Sequence, residues 1–451
     1  MGAAVLDGAP RGHRWVLPGQ SGIVAGHPMS LFDRVGAGLT EPGRMRVYPV
    51  MLVTVPLAVW GCSVAGRTGL VDRDGHILGA DFAAFYMAGT FAREGRIDAL
   101  ASAAAQSDFQ HALVAPVVVS GFTPWINPPF VAFGFAPLAA LPYGLAIATF
   151  WALGLATFLG TVAVGRRFLG LTLGLPRLWL LAASYFPTLA WFMFGQTSAL
   201  SLALMTASVA ALLRGSDLSA GLLLGCFAWK PQLALAMGLA LILARRWRAV
   251  LGAWISGSAL FGLSVWLAPD ATRAWLVGSP ALLAFIRQAV YPMWGLASLF
   301  GASALLLDGV SRPLAGLVGG TLTAVAVLLL ARLWRAVPWR PGHPSFRLAL
   351  AATVAATVLV SPHLYFYDLM LLLLPAALAL HALSDATAEA RAPIVAATAW
   401  VYFLGLPSPY LALGQQMLAR RLTGQPAALQ LETVAIAIWA WRVGRRAVAV
   451  V

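Results

Sequence analysis

Apolar residues occupy this chain in blocks of roughly 17–25, split by short polar clusters, from Val47 almost to the last residue. A helix of that length crosses about 30 Å of hydrocarbon. The blocks do not alternate apolar with polar, so they do not read as barrel strands. Open sheet edges, in turn, cannot be satisfied in lipid. The pattern predicts an all-α polytopic membrane protein. Expected spans are 47–65, 178–194, 197–213, 218–229, 231–244, 249–268, 313–333, 348–361, 364–383, 393–406 and 431–443. The block 128–165 is too long for one span and contains Pro137 and Pro142. It reads as a re-entrant or broken helix followed by a full span. About twelve crossings result.

The remaining stretches differ in character. Residues 66–127 form a long amphipathic segment carrying Asp72, Asp74, Asp81, Arg93, Glu94, Arg96, Asp98 and Asp108. Residues 269–312 are mixed and are expected to dip partly into the membrane. Residues 1–46 are polar and rich in Gly and Arg, with no secretory signal before Val47, and are expected to be a disordered tail. Residues 47–447 then make a single transmembrane domain.

Composition supports this reading. Of 451 residues, 60% are hydrophobic and only 10% charged, against about 25% charged in soluble domains. The net charge of +14 does not indicate a nucleic-acid partner, because the arginines stand in short clusters at block ends. With twelve crossings, Arg166, Arg167, Arg214, Arg245, Arg246, Arg332, Arg335, Arg445 and Arg446 all fall on one side. By the positive-inside rule that side is cytoplasmic, with both termini inside. Arg420 and Arg421 are exceptions. Residues 66–127, Gln196, Lys230 and His363 then collect at the opposite, periplasmic face. Cys62 and Cys226 lie in apolar blocks and are expected to be buried free thiols.

Several residues at that face could carry chemistry. Asp81, before Phe82 and Phe85-Tyr86, suits a general base or a helix N-cap. Lys230 is the only lysine and interrupts an apolar run just before Pro231. It could present a point charge to a phosphate or snorkel from a helix end. Gly195-Gln196-Thr197-Ser198 joins two blocks, as a sugar-binding turn or a plain cap. Ser361-Pro362-His363 with Tyr367-Asp368 could bind a phosphate oxygen through His363, or form an interfacial aromatic belt. Asn127-Pro128-Pro129 could touch substrate or simply stop and start a helix. No zinc-ligand spacing, P-loop, nucleophile elbow or Cys-x-x-Cys occurs. A transporter or flippase shares the broken helices and embedded charges, and an inert envelope scaffold is a third reading.

Taken in order, Asp81 with Phe85-Tyr86, Trp125-Ile126-Asn127-Pro128-Pro129 with Ala136-Pro137-Leu138, Gly195-Gln196, Ala220-Gly221 through Lys230-Pro231, and Ser361-Pro362-His363 with Tyr367-Asp368 resemble glycosyltransferase family 87. These are polyprenol-phosphate-mannose-dependent mannosyltransferases of the GT-C superfamily. The family often has Tyr-Pro-Pro where this chain has Asn127-Pro128-Pro129. The resemblance implies a GT-C-like fold and an inverting, metal-independent transfer with no cofactor. Asp81 would be the base, His363 would lie near the donor phosphate, and Lys230, Gln196, Asn127, Tyr367 and Asp368 would help bind substrate. It also implies a polyprenyl-phosphate-sugar donor, a lipid or glycan acceptor, and a multi-pass location in a bacterial inner membrane.

Overall fold

The computed structural model describes residues 30–288 and 293–451, and regular structure among them is helical, with no strand. Residues 1–29 of the expected tail lie outside the described residues. The rest of that tail is not disordered. Helix α1 (Leu31–Leu39) is opened by Ser30, whose hydroxyl accepts the Asp33 N–H at 3.2 Å. Phe32 stacks on Trp400 with ring centroids 5.3 Å apart, and Asp33 pairs with Arg442. Helix α2 (Arg44–Ala65) starts three residues before the expected span and holds Pro49 and Pro56 within it. Cys62 is exposed on α2, not buried, and Cys226 is half-buried.

The segment expected outside the membrane folds as a small cluster of its own. Helix α3 (Ala80–Arg93) buries Phe82, Phe85, Met87 and Phe91 against Trp125, Tyr143 and Ile147. Helix α4 (Ala103–Val114) holds the following loop through two buried glutamines. Gln110 exchanges two hydrogen bonds with the Thr123 backbone, at 2.9 and 2.7 Å, and Gln106 accepts the Trp125 N–H at 2.7 Å. Helix α5 (Pro129–Phe135) and a 3-10 turn precede α6 (Tyr143–Phe168), which ends on Arg166 and Arg167. The proline-broken block therefore is a short helix followed by one long one. Proline at the first turn starts α5 without a lost hydrogen bond.

Beyond Phe168 the chain packs as helices of 9 to 25 residues around one buried one. They are α7 (Leu175–Ala183), α8 (Phe186–Phe194), α9 (Ser198–Leu213), α10 (Asp217–Gly225), α11 (Leu235–Leu243), α12 (Trp247–Leu267), α13 (Pro269–Gln288), α14 (Leu299–Leu307) and α15 (Arg312–Ala336). The series closes with α16 (Pro344–Val360), α17 (Leu373–Ala382), α18 (Ala388–Leu404), α19 (Pro407–Thr423) and α20 (Leu431–Ala449). Every residue of α16 from Leu348 to Val360 is buried, as a helix apolar all round must be. Its alanines let α20, α17, α15 and α11 approach closely.

Among the described residues, four helices are each long and apolar enough to cross a bilayer: α2, α6, α12 and α15. The pair α18–α19 passes the same test together but bends by 59°. Other apolar helices are shorter. The expected span 178–194 is divided between α7 and α8 at Ser184-Tyr185, and the blocks either side of Lys230 end in 3-10 turns. Pro187 and Pro231 stand at the first turns that follow these breaks.

Candidate active site

Asp81 stands in the first turn of α3, where the helix dipole favours a carboxylate. It is not the cap. Gly79 occupies that position in the left-handed conformation, φ +63°. The Tyr143 hydroxyl donates to Leu78 O at 2.6 Å, and Thr123 donates to Ala80 O at 3.2 Å, so the backbone on both sides of Gly79 is fixed. Freed from capping, the Asp81 side chain turns toward Gln196.

Gln196 is delivered by the end of α8. Gly195 adopts φ +68°, its N–H donates to Phe192 O, and the Gln196 N–H donates to Trp191 O at 3.1 Å. This is a Schellman-type close that needs glycine. The Gln196 side chain then makes four bonds. Nε2 donates to Asp81 Oδ2 at 2.9 Å and to the Tyr367 hydroxyl at 3.1 Å. Oε1 accepts from Thr197 N–H at 3.1 Å and faces Lys230 Nζ at 3.4 Å. An ammonium and a peptide N–H can only donate, so the amide orientation is fixed by its neighbours. Tyr367 also hydrogen-bonds the Asp81 carboxylate.

Lys230 sits where two 3-10 turns, Cys226–Trp229 and Pro231–Leu233, meet. Its ammonium lies 3.0 Å from each oxygen of Asp368 and 5.6 Å from the Tyr367 ring centroid. Asp368 comes from the 3-10 helix Phe366–Leu372 and also accepts from the Ser198 hydroxyl at 2.7 Å. Both partners of the pair are buried. The lone lysine is thus paired with a buried carboxylate.

The cluster brings together two carboxyl groups and one amine. Burial pushes the Asp81 carboxyl above the usual range. Hydrogen bonds from Gln196 and Tyr367, then the Lys230 charge, act in the opposite direction, and Asp368 adds to the rise. Asp81 nonetheless keeps partial exposure, unlike Lys230, Gln196 and Asp368. A carboxylate on a partly exposed residue, with raised basicity and a fixed orientation, can accept a proton from a hydroxyl.

Five of the seven residues singled out from sequence thus converge: Asp81, Gln196, Lys230, Tyr367 and Asp368. The hydrogen bonds named above involve neither Asn127 nor His363. Asn127 is half-buried in the loop before α5. His363 is half-buried four residues before Tyr367, and its carbonyl accepts from Ser361 Oγ at 3.0 Å. Ser198, which completes the Asp368 site, was visible only as part of the Gly195–Ser198 turn. Gly79 carried no signal beyond its place two residues before Asp81.

The family model for glycosyltransferase family 87 matches residues 125–362, more than half of the chain. Gln196 and Lys230 lie within the matched stretch, while Asp81, Tyr367 and Asp368 lie outside it and are joined to it by the contacts above. No curated protein and no solved structure matches the chain. With apolar helices of bilayer length in the same molecule, the chain belongs to glycosyltransferase family 87 and is a membrane glycosyltransferase.

Proposed function

We propose that this glycosyltransferase moves a sugar, mannose, from a polyprenyl-phosphate-linked donor to a lipid or glycan acceptor. The site faces the non-cytoplasmic side of a bacterial plasma membrane. The observation that carries the reading is Asp81, partly exposed and oriented by two side chains from distant segments. In the reaction, Asp81 takes the proton of an acceptor hydroxyl. That oxygen attacks the anomeric carbon from the face opposite the phosphate, the sugar–phosphate bond breaks, and the configuration inverts. The lipid phosphate leaves as an anion. We assign its contact to His363, because Lys230 is held by Asp368. Asn127, in the loop anchored by α4, is assigned to the acceptor side.

The GT-C-like topology of this proposal has twelve crossings. They are α2, α6, α7 with α8, α9, α10, α11, α12, α15, α16, α17 with its 3-10 turn, α18 with α19, and α20. The arginines at the ends of α6, α15 and α20 support a cytoplasmic location for those ends. Transfer of radiolabelled mannose from polyprenyl phosphate to membrane lipid or glycan by the purified protein tests the function. No transfer, together with movement of the labelled lipid across vesicles, would replace the enzyme with a transporter.

A further inference from the structure

Helix α20 begins with a buried polar chain that the reaction above does not use. Gln430, Glu432, Ser408 and Tyr185 are each no more than 2% exposed. Gln430 Nε2 donates to Trp294 O and to Leu296 O, both at 3.1 Å. Its Oε1 accepts from Ser408, whose hydroxyl in turn accepts the Glu432 N–H at 3.1 Å. The Glu432 carboxylate accepts from the Tyr185 hydroxyl at 2.9 Å.

Both arms of this chain end on the elements that orient Asp81. Along one arm, Leu296 bridges Tyr365 in antiparallel fashion, and the Ala297 N–H donates to Leu364 O at 2.9 Å. Trp294 stacks on Phe366 with ring centroids 5.9 Å apart, and a side chain on Gly295 would overlap the Tyr365 ring. Tyr367 follows directly. Along the other arm, Tyr185 starts α8, whose far end presents Gln196. Phe186 stacks on Phe366 at an interplanar angle of 3°, tying the two arms together.

We infer that Gln430 and Glu432 are positioning residues, a clamp at the head of α20 that sets Tyr367 and Gln196 against Asp81. Buried polar groups are a poor source of net stability, and apolar replacements of similar volume are often neutral. What such a network supplies is one fixed geometry. Misplacing a reacting group by about 1 Å can cost on the order of 10²-fold in rate. The inference rests on the reading of Asp81 as base.

The test is a double-mutant cycle on transfer activity. Gln430→Leu is expected to lower kcat about 10–100-fold with little change in either KM. In a Tyr367→Phe background the same substitution should cost no more than about 2-fold, because the hydroxyl it positions is gone. Glu432→Gln, which still accepts from Tyr185, should stay near wild type while Glu432→Leu loses activity. An equal loss from Gln430→Leu in both backgrounds, or no loss, overturns the inference. If Gln430→Leu does not fold, Gln430→Asn, too short to reach Ser408 and both carbonyls, takes its place in the cycle. If instead Asp81→Asn remains active, the base assignment fails separately. Amide exchange then decides the clamp: faster exchange at Ala297 in the Gln430 variant supports it, and unchanged exchange removes it.

Discussion

Gly195 packs directly against Gly79: a Cβ on Gly195 would lie 3.5 Å from Gly79 Cα and 2.7 Å from Phe82 Cβ. Each glycine has a left-handed backbone, one starting α3 and the other ending α8. Their contact brings the base and its hydrogen-bond donor to one point. Gly195→Ala meets both a conformational penalty of roughly 1–2 kcal/mol and overpacking of about 1–3 kcal/mol. A lowered Tm and a larger fractional loss of transfer are expected. Gly134→Ala, with open space around it, is the control, and equal effects from the two would refute the account.

Asp81→Asn should cut turnover about 10²–10⁴-fold while leaving a folded protein. The pH dependence has a definite sign. Burial raises the folded carboxyl above its ordinary value of 3.8. Any stability from the protonated form is therefore complete below that value and lost as pH rises through the raised one. Wild-type kcat/KM should fall as pH drops through the same raised value. The Tm difference between Asp81→Asn and wild type should move in favour of the variant from acid to neutral pH. Thermal melts and rate profiles across that range check both statements.

Lys230→Met leaves the Asp368 charge buried without its partner, a loss of about 3–5 kcal/mol. Adding Asp368→Asn should restore much of the Tm but not the transfer rate, since Gln196 still lacks the ammonium facing its Oε1. If Lys230→Met instead folds normally and only raises the donor KM, the lysine binds phosphate and the pairing with Asp368 is secondary.

A cysteine at Asp98, which is exposed, should react with an impermeant reagent added from the periplasmic side. Cys62→Ala and Cys226→Ala supply a background free of other thiols. A cysteine at Arg340 should react only after the membrane is opened. The reverse pattern would invert the topology and the proposed face of the site together.

The membrane class and the cluster members were legible because charged and amide groups are conspicuous in apolar runs. Their pairing was not. Lys230 and Asp368 are 138 residues apart, and nothing in either neighbourhood signals the other. Glu432 escaped notice because a carboxylate at the head of an apolar block reads as a boundary residue. Helix α1 was missed for a related reason. Its glycines suggested a tail, yet Gly36 is the point where α1 meets α18, with Ala396 O only 2.7 Å from where a Cβ would stand. Short helices such as α7 and α8 merge in the sequence into one apolar block, and only the Ser184-Tyr185 polar pair and Pro187 mark the break.

The docking of α1 also sets an order for assembly. Phe32 and Asp33 emerge from the ribosome early, but Trp400 and Arg442, their partners, follow 368 and 409 residues later. At about 5–20 residues per second, synthesis leaves the first helix waiting on the order of tens of seconds. Its docking face, including Phe32 and Gly36, is uncovered in that interval. Closure of α1 over α18 and α20 is thus a terminal step, and variants that weaken the Asp33–Arg442 pair should accumulate as unlatched chains that an added protease can clip near residue 40.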